Sequence, residues 1–600
     1  MSKVFNLVVL TIICLLFFLA SITTSVVLTN QNYNTTPDTD WIMVGGVTPS
    51  SAEFRIRSAG VNFRLSTSYS LENPILETQV ANEEFVYTVN VTTLVPDTTY
   101  YYATSRQGTV RRGSFSTPGI EGTPFNFKIA VGGCAWTGSK SEVFRQIAAH
   151  KPLFMLHLGD FHYKDIDTDD MALRINAIDL VLGSESQREL YSKVPIVYTW
   201  DDHDWLGNDS GRNETEEGAR ETALSSYQVA FPHYPLALEG GAVPIYHAFT
   251  IGTVRFIVSD LRSESTSTSI YSNEQRDWLL NELSQADQYD FVIWASSKPW
   301  IGQADKGEDS WLGQADDRRE LSEFISLILA KTQNLLAVSS DSHMLAFDNG
   351  KNTYYGDRAN SSSFPILQSG PMDRLGSIKG GPFSDGCYTT KAERNHQYST
   401  ISFDTVGPEP CLEITAYAYK DVVLQRKLCG KIFTEVSPGK GSCHARTMST
   451  SSTVLLAVSL ALWVVVAVGS CYCLGPRMGF FVSSIVLIFL VVTLLSAGVA
   501  LARGVPQWDL QAVLIIALVQ MVTIIIYCGL WLDCGLFFYM TGNKPAEGGE
   551  TIENGVDREK INEDDSTVVR RGAGVGDEKT NEDDDTIIRR GAGNDEQRES

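Results

Sequence analysis

Positive charge is what this chain has least of. Against 71 aspartates and glutamates stand 48 lysines and arginines, a net charge of −23 over 600 residues. An excess of negative charge this large repels a phosphodiester backbone and excludes nucleic acid as the expected partner. Part of the excess is local: residues 541–600 hold 17 acids against 9 bases, a net of −8. That tail also lacks the apolar residues needed to bury a core. It repeats itself once, as EKINEDDSTVVRRGAG and EKTNEDDDTIIRRGAG. A folded solenoid needs more units than that, so the tail reads as disordered, with a docking or phosphorylation role at Thr567 as its functional alternative. Histidine and cysteine are absent altogether from residues 41–118, which excludes imidazole and thiolate ligands and a thiol nucleophile there. Its short alternating runs, among them AEFRIR and FVYTVNV, are separated by turn residues and predict a small β-sandwich that packs or faces substrate.

Long apolar runs are scarce in the middle of the chain and concentrated at its ends. Val4 to Leu28 follows a single lysine and reads as a signal peptide or signal anchor over residues 1–28. Residues 453–474, 479–502 and 510–532 each reach the roughly 20 residues that a bilayer-spanning helix needs. A polar stalk, 431–452, precedes them. With the signal cleaved, three spans place the large segment outside the cytosol, in an extracellular or lumenal compartment, and the tail inside. Five Asn-x-Ser/Thr sequons, at Asn34, Asn90, Asn208, Asn213 and Asn360, suit that location. Asn213 is expected to be a better acceptor than Asn208, which falls among site residues. Cys471 and Cys473 would lie at the cytosolic face. Of the five cysteines in the large segment, an exported chain can pair four. Cys134 is expected to stay unpaired, and the three connectivities of Cys387, Cys411, Cys429 and Cys443 remain open.

Residues 125–430 alternate strand and helix signals, the pattern of an α/β domain. Several predicted strands end in polar residues. Phe127–Val131 runs into Gly132-Gly133-Cys134, and Pro152–Leu158 into Gly159-Asp160 with Tyr163 beyond. Val194–Thr199 runs into Asp201, Asp202, His203 and Asp204. A late strand, Leu335–Val338, leads to Asp341 and His343. Strand ends are rigid and the loops after them are free to carry chemistry. Carboxylates gathered this densely repel unless a cation screens them. Carboxylates suit hard ions such as Ca²⁺, Mg²⁺ or Mn²⁺, whereas a thiolate with a phenolate suits Fe³⁺, and Zn²⁺ would also take the thiolate. A mixed set of this kind predicts two unlike metal positions, about 3.5–4 Å apart, able to clamp a phosphoryl group.

In the order GGC134, GD160FHY163, WDD202H203D, D260LR262S and SD341SH343, these motifs resemble those of the alkaline phosphatase D family of metallophosphoesterases. VGGVTPSSAEFRIRS and LVPDTTYYY resemble its N-terminal domain. The resemblance spans residues 41–420. It implies an α/β/β/α metallophosphoesterase sandwich preceded by a fibronectin type III-like β-sandwich, a site holding Fe³⁺ and Ca²⁺, and hydrolysis of phosphate mono- or diesters. It further implies that Cys134, Asp160, Tyr163, Asp202, Asp341 and His343 hold the metals. His203 would then serve the leaving-group oxygen, and Arg262 either contacts phosphate or forms a structural ion pair. Ser340 departs from the pattern, which has glycine before the late aspartate; a side chain there either crowds the metal or demands an unusual backbone angle. A catalytically weak receptor or scaffold on the same fold is the competing expectation. In that reading the β module and the tail bind partners and the metal only braces the fold; in either reading the expected partners are the lipid bilayer, through the C-terminal helices, and a cytosolic partner of the tail. The other histidines read blandly, His157 as a core residue above all. Trp200, Trp205 and Trp300 are expected to pack around the polar clusters.

Overall fold

The computed structural model describes residues 40–435 apart from 59, 81–85, 107–108, 213–217, 303–308, 359–362, 375, 377–380, 387–395 and 431. The signal, the stalk beyond residue 435, the three apolar stretches and the tail lie outside these residues, as do Asn34, Asn213, Asn360, Cys387 and Cys443. Among the described residues no helix is long and apolar enough to cross a membrane.

Seven strands make up residues 41–116: β1 (Trp41–Gly45), β2 (Ala52–Arg57), β3 (Asn62–Ser66), β4 (Leu76–Gln79), β5 (Tyr87–Val91), β6 (Thr99–Arg106) and β7 (Thr109–Ser116). Fourteen follow. They are β8 (Phe127–Gly132), β9 (Met155–Leu158), β10 (Ile196–Thr199), β11 (His247–Ile251), β12 (Val254–Val258), β13 (Phe291–Ala295) and β14 (Leu335–Ser339). After these come β15 (Ala346–Asp348), β16 (Ile366–Gln368), β17 (Asp385–Gly386), β18 (Gln397–Asp404), β19 (Cys411–Ala418), β20 (Asp421–Cys429) and β21 (Ile432–Glu435). A ten-stranded sheet has the order β21-β20-β19-β18-β8-β9-β10-β1-β2-β5, and a seven-stranded sheet the order β11-β12-β13-β14-β16-β15-β17. Strands β8, β9 and β10 are parallel, as are β12, β13, β14 and β16.

The two sheets stack because side chains alternate faces along a strand. Phe127, Ile129 and Val131 of β8, Leu156 and Leu158 of β9, Phe256 and Val258 of β12, and Leu336 and Val338 of β14 meet in one core between the sheets. The intervening residues point the other way. Ala130, Met155, Ile196 and Tyr198 pack under helices Val143–Ala149, Met171–Gly183, Glu185–Tyr191 and Ala219–Ala230. Ile257, Val292, Trp294 and Ala337 pack under Asn273–Ser284 and Ala315–Leu329. Strands buried on both faces carry almost no polar residues, which is why they read as unbroken apolar runs. The layers run helix, sheet, sheet, helix. Ser272 caps the helix Asn273–Ser284, its side chain accepting from the Gln275 amide at 3.2 Å.

The β-sandwich is less separate than its composition suggests. Its second sheet, β4-β3-β6-β7, stands alone, but β1, β2 and β5 extend the large sheet through a parallel pairing of β1 with β10, Gly45 opposite Ile196. Side chains reinforce this junction. Trp41 donates to Asp179 at 2.7 Å, Tyr102 to the Ser192 carbonyl at 2.8 Å, and Tyr234 to the Val47 carbonyl at 2.7 Å. Cys411 and Cys429 face each other on β19 and β20 and form a disulfide. Cys134 is free and buried, as expected.

Candidate metal centre

Parallel strands deliver their C-terminal ends to one edge, and the predicted residues follow β8, β9, β10 and β14 there. Two glycines let these ends crowd together. A Cβ on Gly159, at φ +94°, would lie 2.4 Å from the Asp201 Cβ; one on Gly133 would lie 2.7 Å from the Ser340 Oγ and 2.9 Å from the Gly159 carbonyl. Without side chains at these positions the Cys134 amide donates to Gly159 at 3.1 Å, and the Ala135 amide to Asp160 at 3.1 Å. Cys134, Asp160 and His343 themselves adopt left-handed backbone, with φ of 58°, 55° and 51°. Non-glycine residues take that conformation at a cost and mostly where the surroundings enforce it, which is common at functional sites.

The result is a set of overlapping donor groups. Ligand atoms of Cys134, Asp160 and His343 lie within 4.8 Å of one another, and the same holds for Asp160, Asp202 and His203, and for Asp201, Asp202 and Asp341. Asp160 and Asp202 each belong to more than one group. Tyr163 closes the first: its hydroxyl donates to Asp160 Oδ2 at 2.6 Å and lies 3.1 Å from His343 Nε2. All six proposed ligands and His203 are thus brought together. A fourth group adds Asp209 and Asp309 to Asp202. Neither was singled out from sequence. Asp209 follows directly on the DDHDWLGN stretch, whereas Asp309 sits in a loop with no motif.

Burial sharpens the electrostatics. The Cys134 thiol is pushed well up by burial and by the Asp160 and Asp341 carboxylates. Burial also raises Asp201 well above the carboxylate range, and Asp202 to about 6 despite Arg262. Burial works the same way on Asp160, yet hydrogen bonding from His343 and the nearby imidazoles hold it below the usual range. Burial opposes charge on His203, but Asp165, hydrogen bonded to its Nδ1 at 2.5 Å, and the Asp160 and Asp202 carboxylates raise it to about 10. Crowded, buried anions of this kind are the donor set that a multivalent cation compensates. Asp160 Oδ1 and Asp201 Oδ2 are buried and accept no hydrogen bond among the described residues. These observations fit the thiolate, phenolate, imidazole and carboxylate set to metal.

The acidic stretch at 201–204 divides its labour. Asp202 faces the donor groups. Asp204 accepts the His162 amide at 3.0 Å and the Asp201 amide at 3.3 Å, and so braces the loop after β9. Arg262 is fully buried. It bonds Asp201, reaches Asp309 at 2.6 Å, and has Asp202 at 3.9 Å. These contacts are the ion pair, one of its two expected roles. Ser340 avoids the strain expected of it, being absent from the non-glycine residues with positive φ. Its Oγ fits between Gly133 and Gly370 and lies 3.3 Å from the Cys134 sulfur. His157 is buried, with burial lowering it to about 3. Trp200, Trp205 and Trp300 are buried, packing rather than lining.

The model of the PhoD-like phosphatase family matches residues 127–367. A solved structure described as PhoD superposes with a TM-score of 0.55 at 16% identity, covering 70% of this chain and 94% of that one. A purple acid phosphatase, PPD1 from yellow lupin (Lupinus luteus) seeds, gives a TM-score of 0.44 at 12% identity, over 69% of this chain and 78% of that one. No curated protein sequence matches. In sequence over residues 127–367, and in fold over most of its described length, this protein is similar to the PhoD-like phosphatases.

Proposed function

We propose that this chain is a metal-dependent phosphoester hydrolase. The observation that carries the reading is the convergence of Cys134, Asp160 and His343 with Asp202 and Asp341 into donor groups that share Asp160 and Asp202. Cys134, Tyr163, Asp160 and His343 would hold an Fe³⁺-like ion, and Asp160, Asp202 and Asp341 a Ca²⁺-like one. A dinuclear centre, when bound, supplies Lewis-acid polarisation of the phosphoryl group and an acidified water. The protein's own residues do the rest. Asp165 orients His203, whose ring packs tilted at 47° against Tyr163 with centroids 4.2 Å apart, so the imidazole can protonate the leaving oxygen. Asp204 and Arg262 hold the loop that presents Asp202.

The purified full-length chain is expected to hydrolyse p-nitrophenyl phosphate or its bis-ester, to lose turnover to a chelator, and to regain it with iron and calcium. Absence of turnover on both esters in metal-replete protein overturns the reading. It would then favour the catalytically weak scaffold, for which the Ser340 contact with the Cys134 sulfur is the supporting observation.

A membrane tether with the hydrolase domain outside the cytosol completes the proposal. Its support is sequence alone: the apolar stretches 453–474, 479–502 and 510–532, and the sequons. Endoglycosidase treatment of the chain from a eukaryotic host should increase its mobility on a gel, Asn90 and Asn213 being expected acceptors. An unshifted band counts against the assignment.

A further inference from the structure

A phosphate seated at the donor groups presents its remaining non-bridging oxygens to the rim, where a cationic side chain would neutralise them. Among the described residues Arg262, Lys298, His203 and Arg374 flank the donor groups, and three of them are committed. Arg262 is held by Asp201 and Asp309, Lys298 lies 3.5 Å from Asp309 with 5% of its side chain exposed, and His203 is held by Asp165. The fourth is Arg374. Its Cζ stands 3.8 Å from the Tyr163 ring centroid and 4.5 Å from that of Trp136. Those two rings are stacked 6.5 Å apart at 21°. Of the four, Arg374 alone makes no ion pair at contact distance among the described residues, its nearest carboxylate influence being that of the adjacent Asp373, and its Nε is buried with no hydrogen bond among them.

The backbone ties Arg374 to the centre. Met372 donates to the Gly133 carbonyl at 2.9 Å and Asp373 to the Cys134 carbonyl at 3.3 Å. From the other side, the Gln397 amide donates to Pro371 at 3.0 Å. The segment is therefore strapped along the loop that carries the thiol. The ring beneath Arg374 belongs to Tyr163, whose hydroxyl contacts both Asp160 and His343. A guanidinium seated over aromatic faces leaves N–H groups for an oxyanion, and its planar fork matches two phosphate oxygens at once.

We propose that Arg374, seated on Trp136 and Tyr163, is the residue that binds the non-bridging oxygens of the substrate phosphate. The assignment rests on the hydrolase reading for its substrate, but not for its binding test. Inorganic phosphate is titrated into the full-length chain by calorimetry, and KM and kcat are measured on p-nitrophenyl phosphate. Arg374→Met keeps the packing and removes the fork. It is expected to weaken phosphate binding and raise KM by about 10- to 100-fold, with an unchanged melting temperature. Arg374→Lys, which restores charge without planarity, should recover part of the affinity. A purely structural arginine would lower the melting temperature and leave phosphate affinity alone, and that result overturns the proposal. Phosphate binding that depends on Arg374 in a chain that hydrolyses no ester would sink the hydrolase reading and keep this one. Turnover with phosphate affinity indifferent to Arg374 would do the reverse. A wild-type chain that neither binds phosphate nor hydrolyses esters overturns both.

Discussion

Asp160→Asn is expected to lower kcat/KM by about 1,000-fold or more and to reduce bound metal at the same time. Asp160 is the carboxylate that belongs both to the group with Cys134 and His343 and to the group with Asp202 and His203. One of its oxygens takes the Tyr163 hydroxyl, and the other is buried without a hydrogen-bond partner among the described residues. The amide is isosteric but neutral, and its NH₂ end is a donor where an acceptor is needed. Two positions therefore lose a shared charge in one substitution. A centre that provides several kcal/mol of transition-state stabilisation loses about tenfold for each 1.4 kcal/mol removed. Elemental analysis beside the kinetic measurement checks the account. A variant with wild-type metal content and wild-type turnover would show that Asp160 is not the bridge.

Arg262→Ala should act on stability instead. The guanidinium is fully buried, and Asp201, Asp202 and Asp309 surround it. Its removal leaves Asp201 facing Asp202 and Asp341 without the opposing charge, and burial already disfavours the ionised form of Asp201. Breaking one partner of a buried ion pair costs about 3–5 kcal/mol, because the other charge stays desolvated. Denaturant unfolding should show that loss, and Asp201→Asn in the same chain should restore part of it, since the two residues are in contact and do not act additively. If the unfolding midpoint stays put while KM rises, Arg262 is a phosphate contact after all. The two arginines thus make opposite predictions: Arg262 moves stability, Arg374 moves phosphate affinity.

Much of the centre was legible from residue types and their neighbours. Apolar runs buried on both faces mark the central strands, and a polar residue directly after such a run marks a strand end on the site edge. Cys134, Asp160, Asp202, Asp341 and His343 all stand at that punctuation. The interleaving of the two sheets was not legible, nor was the way β1 carries the small module onto the edge of the large sheet through β10. A composition shift near residue 118 says nothing about which strand an edge will accept. The assignments of Asp204, Arg262 and Ser340 were equally hidden, because each depends on a neighbour across a layer. Asp165, Asp309 and Arg374 lie in loops without periodicity, so no local pattern drew attention to them.

The order of residues along the chain determined which donors would be presented at the ends of rigid strands, since side-chain alternation and strand termination are properties of a few neighbouring residues. Only the tertiary structure decided how charges were shared. It committed Arg262 to Asp201 and Asp309, gave Asp160 to two groups at once, and set the Arg374 guanidinium over the Tyr163 ring. Coulomb and hydrogen-bond energies depend on separations of a few ångströms between segments far apart in sequence, and those separations exist only once the two sheets have packed.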